Sequence, residues 1–328
     1  MMNFFFPKNF YGLILSLALL SKNRNVIFLE KKLFLRLKDL ISYLSKKLKI
    51  KFILIENVSQ THQLIKSLYI NKKRLKINFF HKESLRYFKK IESLNINHIF
   101  LENGIGNYFN FINHRYIYSI KNILYLSQEK NRYTAYAGVY AKLSHKIIID
   151  GHKVKKIIPK NIINVLKILK FFYKKDLKTK KLINILQSKN EKVLVNVPEF
   201  LISEDLENFF QTLSKLKKLN NVFFFKFHPQ DNKIVSKINN IKKIFRKNYF
   251  ILNQNMNFIP FELLVFVAKN SLIYSTISNI PFACSLIFSN KINLYLPISI
   301  KKKYLKFNEL KKNSHKFYIN NFKGIKFI

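Results

Sequence analysis

The chain has 328 residues, 48% of them hydrophobic, and a formal net charge of +43. Such a length buries one large core or two medium ones, and such a charge implies an anionic partner: nucleic acid, an acidic membrane surface or an acidic glycan. The single cysteine, Cys284, excludes an intramolecular disulfide and a cysteine zinc site, and fits a reducing compartment.

The N-terminal stretch Phe10–Leu20 is almost wholly apolar and follows Lys8. It is too short to span a bilayer, and no small-residue cleavage site follows it. It is expected to be the first helix of an α/β domain, with the strand Val26–Leu29 next. Further runs rich in β-branched and aromatic residues read as strands at Phe52–Ile55, Ile77–Phe80, His98–Leu101 and Ile147–Asp150. A second set falls at Val193–Val197, Val222–Phe227, Phe250–Leu252, Leu272–Tyr274 and Ile292–Leu296. Helix-like spacing marks Leu33–Leu48, and Ser203–Leu216 opens with acids in its first turn.

Strands alternating with helices argue for parallel sheets, and continuous apolar runs fit strands covered on both faces. The two sets predict two Rossmann-like domains separated by the Lys-rich helical stretch Lys155–Lys189. The expected organisation is a first domain over 1–180, a second over 181–300, and a basic, aromatic segment over 301–328 for which a crossing back to the first domain is one option that the sequence itself does not show. Lysines are spread along the whole chain, which weakens a dedicated nucleic-acid module. Lys, Asn, Ile and Phe dominate while Gly, Pro and Trp are scarce, so compositional bias accounts for part of the charge.

Four short motifs carry candidate chemistry. Glu102-Asn103-Gly104 ends one predicted strand. A carboxylate on the rim of a sheet can act as a general base, and Gly104 and Gly106 permit a sharp turn and close approach of a ligand. His228-Pro229 ends another strand, where a histidine can donate a proton or hydrogen bond to a leaving phosphate. Lys226, two positions earlier, leans to the same face as His228. Pro260-Phe261-Glu262 opens an apolar helix at Leu263–Ala268; the proline and acid suit a first helical turn, and the carboxylate could instead accept hydrogen bonds from ribose hydroxyls. Ser275-Thr276 follows a strand and precedes a helix beginning at Pro281, a setting that serves phosphate or ordinary capping by Ser278. Cys284, in the apolar stretch Pro281–Phe288, is expected to be a buried structural thiol.

Their order resembles the bacterial sialyltransferases: a rim acid in the first half, then His-Pro, then Pro-x-Glu, then a Ser-Thr pair. The nearest likeness is to glycosyltransferase family 52, which sialylates lipooligosaccharide, and to the related capsule polysialyltransferases. The Gly-Ile-Gly-Asn-Tyr continuation leans toward family 52, and the resemblance covers roughly residues 98–296. It implies a two-domain GT-B fold with parallel sheets facing a central cleft, CMP-sialic acid as donor, and inversion without a metal or other cofactor. It implies Glu102 as the general base, His228 as the group that binds the CMP phosphate and assists its departure, Glu262 on the ribose, and Ser275 and Thr276 on the phosphate. Lys226 as a supporting cation is read from its place on the face of His228 and not from the resemblance, and Pro229 is counted with the donor-binding residues.

The family motif is acid-acid-Gly, whereas the middle position here is Asn103. Asparagine cannot accept a proton at neutral pH. If the first acid is the base, catalysis survives; if the second is needed, the chain either acts on something else or is a silent relative retained for partner binding.

The residues agree on metals: there is no Asp-x-Asp pair, no His-Glu-x-x-His site and no Walker loop. The expected partners are CMP-sialic acid, an acceptor glycan or glycolipid, and the inner face of the cytoplasmic membrane, with no specific nucleic acid. The alternative is a basic nucleic-acid-binding protein using its 15% aromatic content for stacking.

Overall fold

Met2–Phe5 forms a wholly buried strand, β1, ahead of the first helix. The structure is a computed structural model, and it describes residues 1–22, 24–56, 58–70, 76–81, 96–101, 135–138, 153–157, 159–188, 191–197, 203–215, 221–227, 231, 233–245, 248–252, 258–268, 271–276, 279–288, 292–295 and 325–327. Contacts divide the chain into two units, Met1–Val165 and Leu166–Ile328.

The first unit holds β1, β2 (Arg24–Glu30), β3 (Lys51–Ile55), β4 (Ile77–His81), β5 (Ile96–Leu101), β6 (Ala135–Gly138) and β7 (Lys153–Lys156). Their order is β3-β2-β1-β4-β5-β6-β7, and every pair is parallel. β1 sits between β2 and β4, so the chain reverses its direction of travel across the sheet there. Helix α1 (Phe10–Ala18) follows β1, capped by Asn9, whose side chain accepts a 2.8 Å hydrogen bond from Gly12 N–H. The cap satisfies one of the orphan donors of the first turn. Helices α2 (Lys31–Arg36), α3 (Lys38–Leu48) and α4 (Val58–Ile70) follow.

One face of this sheet packs Met2, Phe4, Val26, Phe28, Ile77, Phe79 and Phe100 into an apolar cluster with Ile65 of α4. The second residue of four neighbouring strands is asparagine. Asn25, Asn3, Asn78 and Asn97 stand in register, and side-chain amides link them: Asn3 donates to Asn25 at 3.2 Å, Asn78 to Asn3 at 3.0 Å, and Asn97 to Asn78 at 3.0 Å. A one-residue slip of any strand would turn its asparagine to the opposite face, so the ladder fixes register at this end of the sheet.

The second unit holds β8 (Lys192–Val197), β9 (Val222–Phe227), β10 (Tyr249–Ile251), β11 (Leu272–Thr276), β12 (Ile292–Tyr295) and β13 (Ile325–Phe327). Their order is β10-β9-β8-β11-β12-β13, again all parallel. The reversal lies between β8 and β11. Helices α5 (Pro159–Tyr173) and α6 (Leu177–Gln187) precede this sheet, and α7 (Ser203–Lys215), α8 (Ile234–Ile244), α9 (Phe261–Val267) and α10 (Asn279–Phe288) run between its strands. Val193, Val195, Val197, Phe223, Phe225, Phe227 and Tyr274 pack with residues of α7 and α8 on one face. The alternate residues, Leu194, Phe224 and Ile273, are buried on the other face, where α9 touches β8 and packs with α6 and α10.

Several elements differ from the expected ones. β1, β6, β7 and β13 were not anticipated. The Leu33–Leu48 segment is two helices meeting at Leu37, whose backbone (φ −113°, ψ 18°) leaves the helical region. Lys155 and Lys156 lie in β7, and within the Lys-rich stretch Pro159–Tyr173 and Leu177–Gln187 are α5 and α6, divided by a turn at Lys174–Asp176. The predicted strand Ile147–Asp150 lies outside the described residues. Of the segment 301–328, the described residues Ile325–Phe327 pair with β12.

Candidate functional site

In an open parallel sheet, ligands bind beyond the carboxyl ends of the strands, where the strand order reverses. In the second unit that point lies between β8 and β11. One row of side chains crosses it. Lys226 of β9 is in register with Asn196 of β8, and Asn196 with Ser275 of β11. All three sit one residue from the end of their strands. They lie on the face away from the Val-Phe cluster, because the residues before and after Asn196 and Lys226 belong to that cluster.

All three are buried: Lys226 is 4% exposed, Asn196 6% and Ser275 fully buried. Asn196 Nδ2 donates a 3.0 Å hydrogen bond to Ser275 Oγ, tying β8 to β11 where the strand order reverses. Asn196 was not singled out from the sequence. Its only signal was a polar residue inside the apolar run Val193–Val197.

Glu262 interacts electrostatically with Lys226 of this row. Pro260 is the cap of α9, with φ −64° and ψ 143°, and its carbonyl accepts hydrogen bonds from Leu263 and Leu264 N–H. The helix therefore begins at Phe261, and Glu262 lies in its first turn. Glu262 is 3% exposed, and its Oε1 finds no hydrogen-bond partner among the described residues. Burial pushes the Glu262 carboxyl up from its ordinary value, opposed by its own backbone N–H and by Lys226. Burial pulls the Lys226 ammonium down to about 8, with the Glu262 carboxylate opposing. Each group thus offsets part of the other's desolvation, and burial remains the larger effect on both. Cys284 on α10 is fully buried, as expected, and burial with the nearby Glu262 carboxylate pushes its thiol well up. A thiol so held is inert as a nucleophile at neutral pH.

Beyond β9, Asp231 and Lys237 form a buried ion pair at 2.6 Å, and Asp231 also accepts from Lys233 N–H at 2.9 Å. The chain is thus anchored at Phe227 on one side of His228-Pro229 and at Asp231 on the other.

Thr276 is the last residue of β11, in register with Tyr295. Glu102, Asn103, Gly104, Gly106, His228, Pro229 and Ser278 lie outside the described residues. Glu102 directly follows Leu101, the buried last residue of β5, and His228 directly follows Phe227, the buried last residue of β9.

In the first unit, His81 ends β4 beside that sheet's own reversal. Its Nε2 is 2.9 Å from Nδ1 of His98 on β5, and burial pulls the His98 imidazole down to about 4. No group of three or more His, Cys, Asp or Glu side chains suited to a metal ion occurs among the described residues. Among the same residues, no helix is long and apolar enough to cross a membrane.

No protein-family model matches the chain, and no curated protein matches it in sequence. Solved structures do match in fold. The chain is similar to a sialyltransferase from Photobacterium damsela, with a TM-score of 0.59, 11% identity, and coverage of 100% of this chain and 81% of that one. It is similar to a 2,6-sialyltransferase from Photobacterium sp. JT-ISH-224, crystallised with the donor product CMP and the acceptor lactose. There the TM-score is 0.52, identity 11%, and coverage 99% of this chain and 78% of that one. A UDP-GlcNAc 2-epimerase from Methanocaldococcus jannaschii matches with a TM-score of 0.57, 11% identity, and coverage of 100% and 88%. At these identities the likeness is one of fold: two parallel-sheet α/β units of the GT-B type, as expected from the sequence.

Proposed function

We propose that the chain is an inverting, metal-independent sialyltransferase of the family 52 kind, moving sialic acid from CMP-sialic acid to a cell-surface glycan, lipooligosaccharide or capsule, at the inner leaflet of the cytoplasmic membrane. The observation that carries this reading is the buried row Lys226, Asn196 and Ser275, with the buried Glu262 interacting with Lys226, at the reversal point of the second sheet and two residues before His228. The likeness to sialyltransferase structures supports it at the level of fold.

In this reading the second unit holds the donor. An unpartnered buried oxygen costs about 1–3 kcal/mol, and a ribose hydroxyl donating to Glu262 Oε1 would remove that cost. The Lys226 ammonium and the Ser275-Thr276 segment favour the phosphate. Glu102 removes the proton from the acceptor hydroxyl. The acceptor oxygen then bonds to the anomeric carbon on the face opposite the nucleotide, and the bond from that carbon to the phosphate oxygen breaks. CMP leaves with the electron pair, its charge met by the His228 imidazole and Lys226. Inversion follows from the opposite-face attack, and no step calls for a divalent ion.

The test is calorimetric binding of CMP and CMP-sialic acid to the purified chain with EDTA present, and UMP and ADP as competitors. Selective CMP binding is the expected result. Equal binding of all nucleotides that fades with salt would overturn the reading, and preference for UMP would move the chain toward the UDP-sugar enzymes that share its fold. With the donor class in hand, Glu102→Gln and His228→Ala should each lower transfer by at least about a hundredfold, with the thermal melt unchanged. Wild-type rates in both would remove them from the site.

A further inference from the structure

The corner between α5 and α6 carries two of the most exposed large apolar side chains among the described residues, Phe171 at 68% and Leu177 at 66%. The corner is ordered. Asp176 caps α6 by accepting a 2.8 Å hydrogen bond from Thr179 N–H, Thr179 Oγ1 donates to the Tyr173 carbonyl, and Tyr173 Oη donates to the Phe258 carbonyl at 3.0 Å. Phe171 and Leu177 are therefore displayed at the end of a fixed turn. Segment 171–181 also carries five lysines against one aspartate, and that aspartate is engaged in its own cap. Both flanks of the turn are cationic, with Lys175 and Lys178 exposed.

Exposed apolar groups ringed by one sign of charge mark an interaction surface. The charge selects the occupant. A second copy of this corner would set like charges against each other. A nucleic acid would satisfy the lysines and could stack on Phe171, but it offers nothing to the aliphatic Leu177. An anionic bilayer satisfies both sets, with phosphates for the ammonium groups and the acyl boundary for Phe171 and Leu177.

We propose that the α5–α6 corner, through Phe171 and Leu177 amid their lysines, is the point at which the chain docks on an anionic phospholipid surface. This deepens the membrane part of the proposed function and rests on no donor chemistry. Distributed lysines alone give attraction that salt removes. Two inserted side chains add a component that salt leaves in place, because apolar transfer is not screened.

The chain contains no tryptophan, so Phe171→Trp supplies a unique fluorophore. The intact chain carrying it would be mixed, at physiological salt, with phosphatidylcholine vesicles containing about a third phosphatidylglycerol, and with pure phosphatidylcholine vesicles. A blue shift on the anionic vesicles alone is expected. In sedimentation, the double substitution Phe171→Ser with Leu177→Ser should weaken binding roughly tenfold or more. Val235→Ser, at a residue 67% exposed on the lysine-bearing helix α8, should not. No blue shift, or equal binding of the double variant, overturns the proposal. So does a double variant that keeps vesicle binding but loses affinity for a short oligonucleotide, which would make the corner a nucleic-acid surface. CMP binding of the double variant, measured in parallel and expected to be unchanged, reports on the donor site separately.

Discussion

Lys226 shows how one buried residue sets a pH response. Burial lowers its affinity for the proton to about 8 from an ordinary 10.5, despite the Glu262 carboxylate beside it. At pH 7 the side chain is still a cation, and it becomes neutral as pH rises through about 8. CMP carries its full phosphate charge across this range. Its affinity should therefore fall between pH 7 and pH 9, and Lys226→Met should bind weakly at both and show a flat profile. Titration calorimetry of both proteins at the two values checks this, and a wild-type affinity unchanged at pH 9 would remove Lys226 from the phosphate. For stability the sign is opposite. Between about 8 and 10.5 the unfolded chain holds a proton that the folded chain has released, so stability should rise with pH through that window.

At the level of elements, the asparagine ladder is the clearest case of sequence acting through tertiary pairing. Asn78 is 6% exposed, donates to Asn3 and accepts from Asn97. Asn78→Ala deletes both bonds and leaves the buried Asn3 amide oxygen without this donor, at about 1–3 kcal/mol, while the half-buried Asn97 amide can turn to water. A urea melt should move accordingly, and an unchanged midpoint would show that the ladder contributes nothing. The ladder was not visible beforehand, because each asparagine reads alone as a strand-edge polar residue, and only register brings the four together. The strands that escaped the sequence reading failed for related reasons. β6 is Ala-Tyr-Ala-Gly and β7 is Lys-Val-Lys-Lys, both poor in the β-branched and aromatic residues that mark strands. β1 lies hidden in an apolar N-terminus that runs on into α1. The phenylalanine-rich β9 and the valine-rich β8 were legible because both faces are covered and the apolar run is unbroken. In the candidate site, Lys226, Glu262 and Ser275 were legible from their place beside strand and helix ends. Asn196 was not, because its role depends on a neighbouring strand 79 residues away.

For the whole molecule, each sheet has its own order, its own reversal point and its own core. The described residues of the candidate site, Lys226, Asn196, Glu262 and Ser275, all belong to the unit Leu166–Ile328. That unit begins inside α5, so a fragment meant to fold must start at Pro159 and keep the helix whole. Its phenylalanine and valine core packs α7 and α8 against one face, and α6, α9 and α10 lie together on the other. Among the described residues, that core cluster is built from residues of the second unit. Fragment 159–328 is therefore expected to melt cooperatively and to bind CMP within about tenfold of the full chain, a difference of about 1.4 kcal/mol, while transferring no sugar. Glu102, the proposed base, is absent from it. Circular dichroism on heating and CMP calorimetry decide the matter together. A fragment that folds and binds CMP places donor recognition in the second unit. A fragment that folds yet binds no CMP would mean that donor recognition needs residues before Pro159, and the row on β8, β9 and β11 would then be a structural polar network.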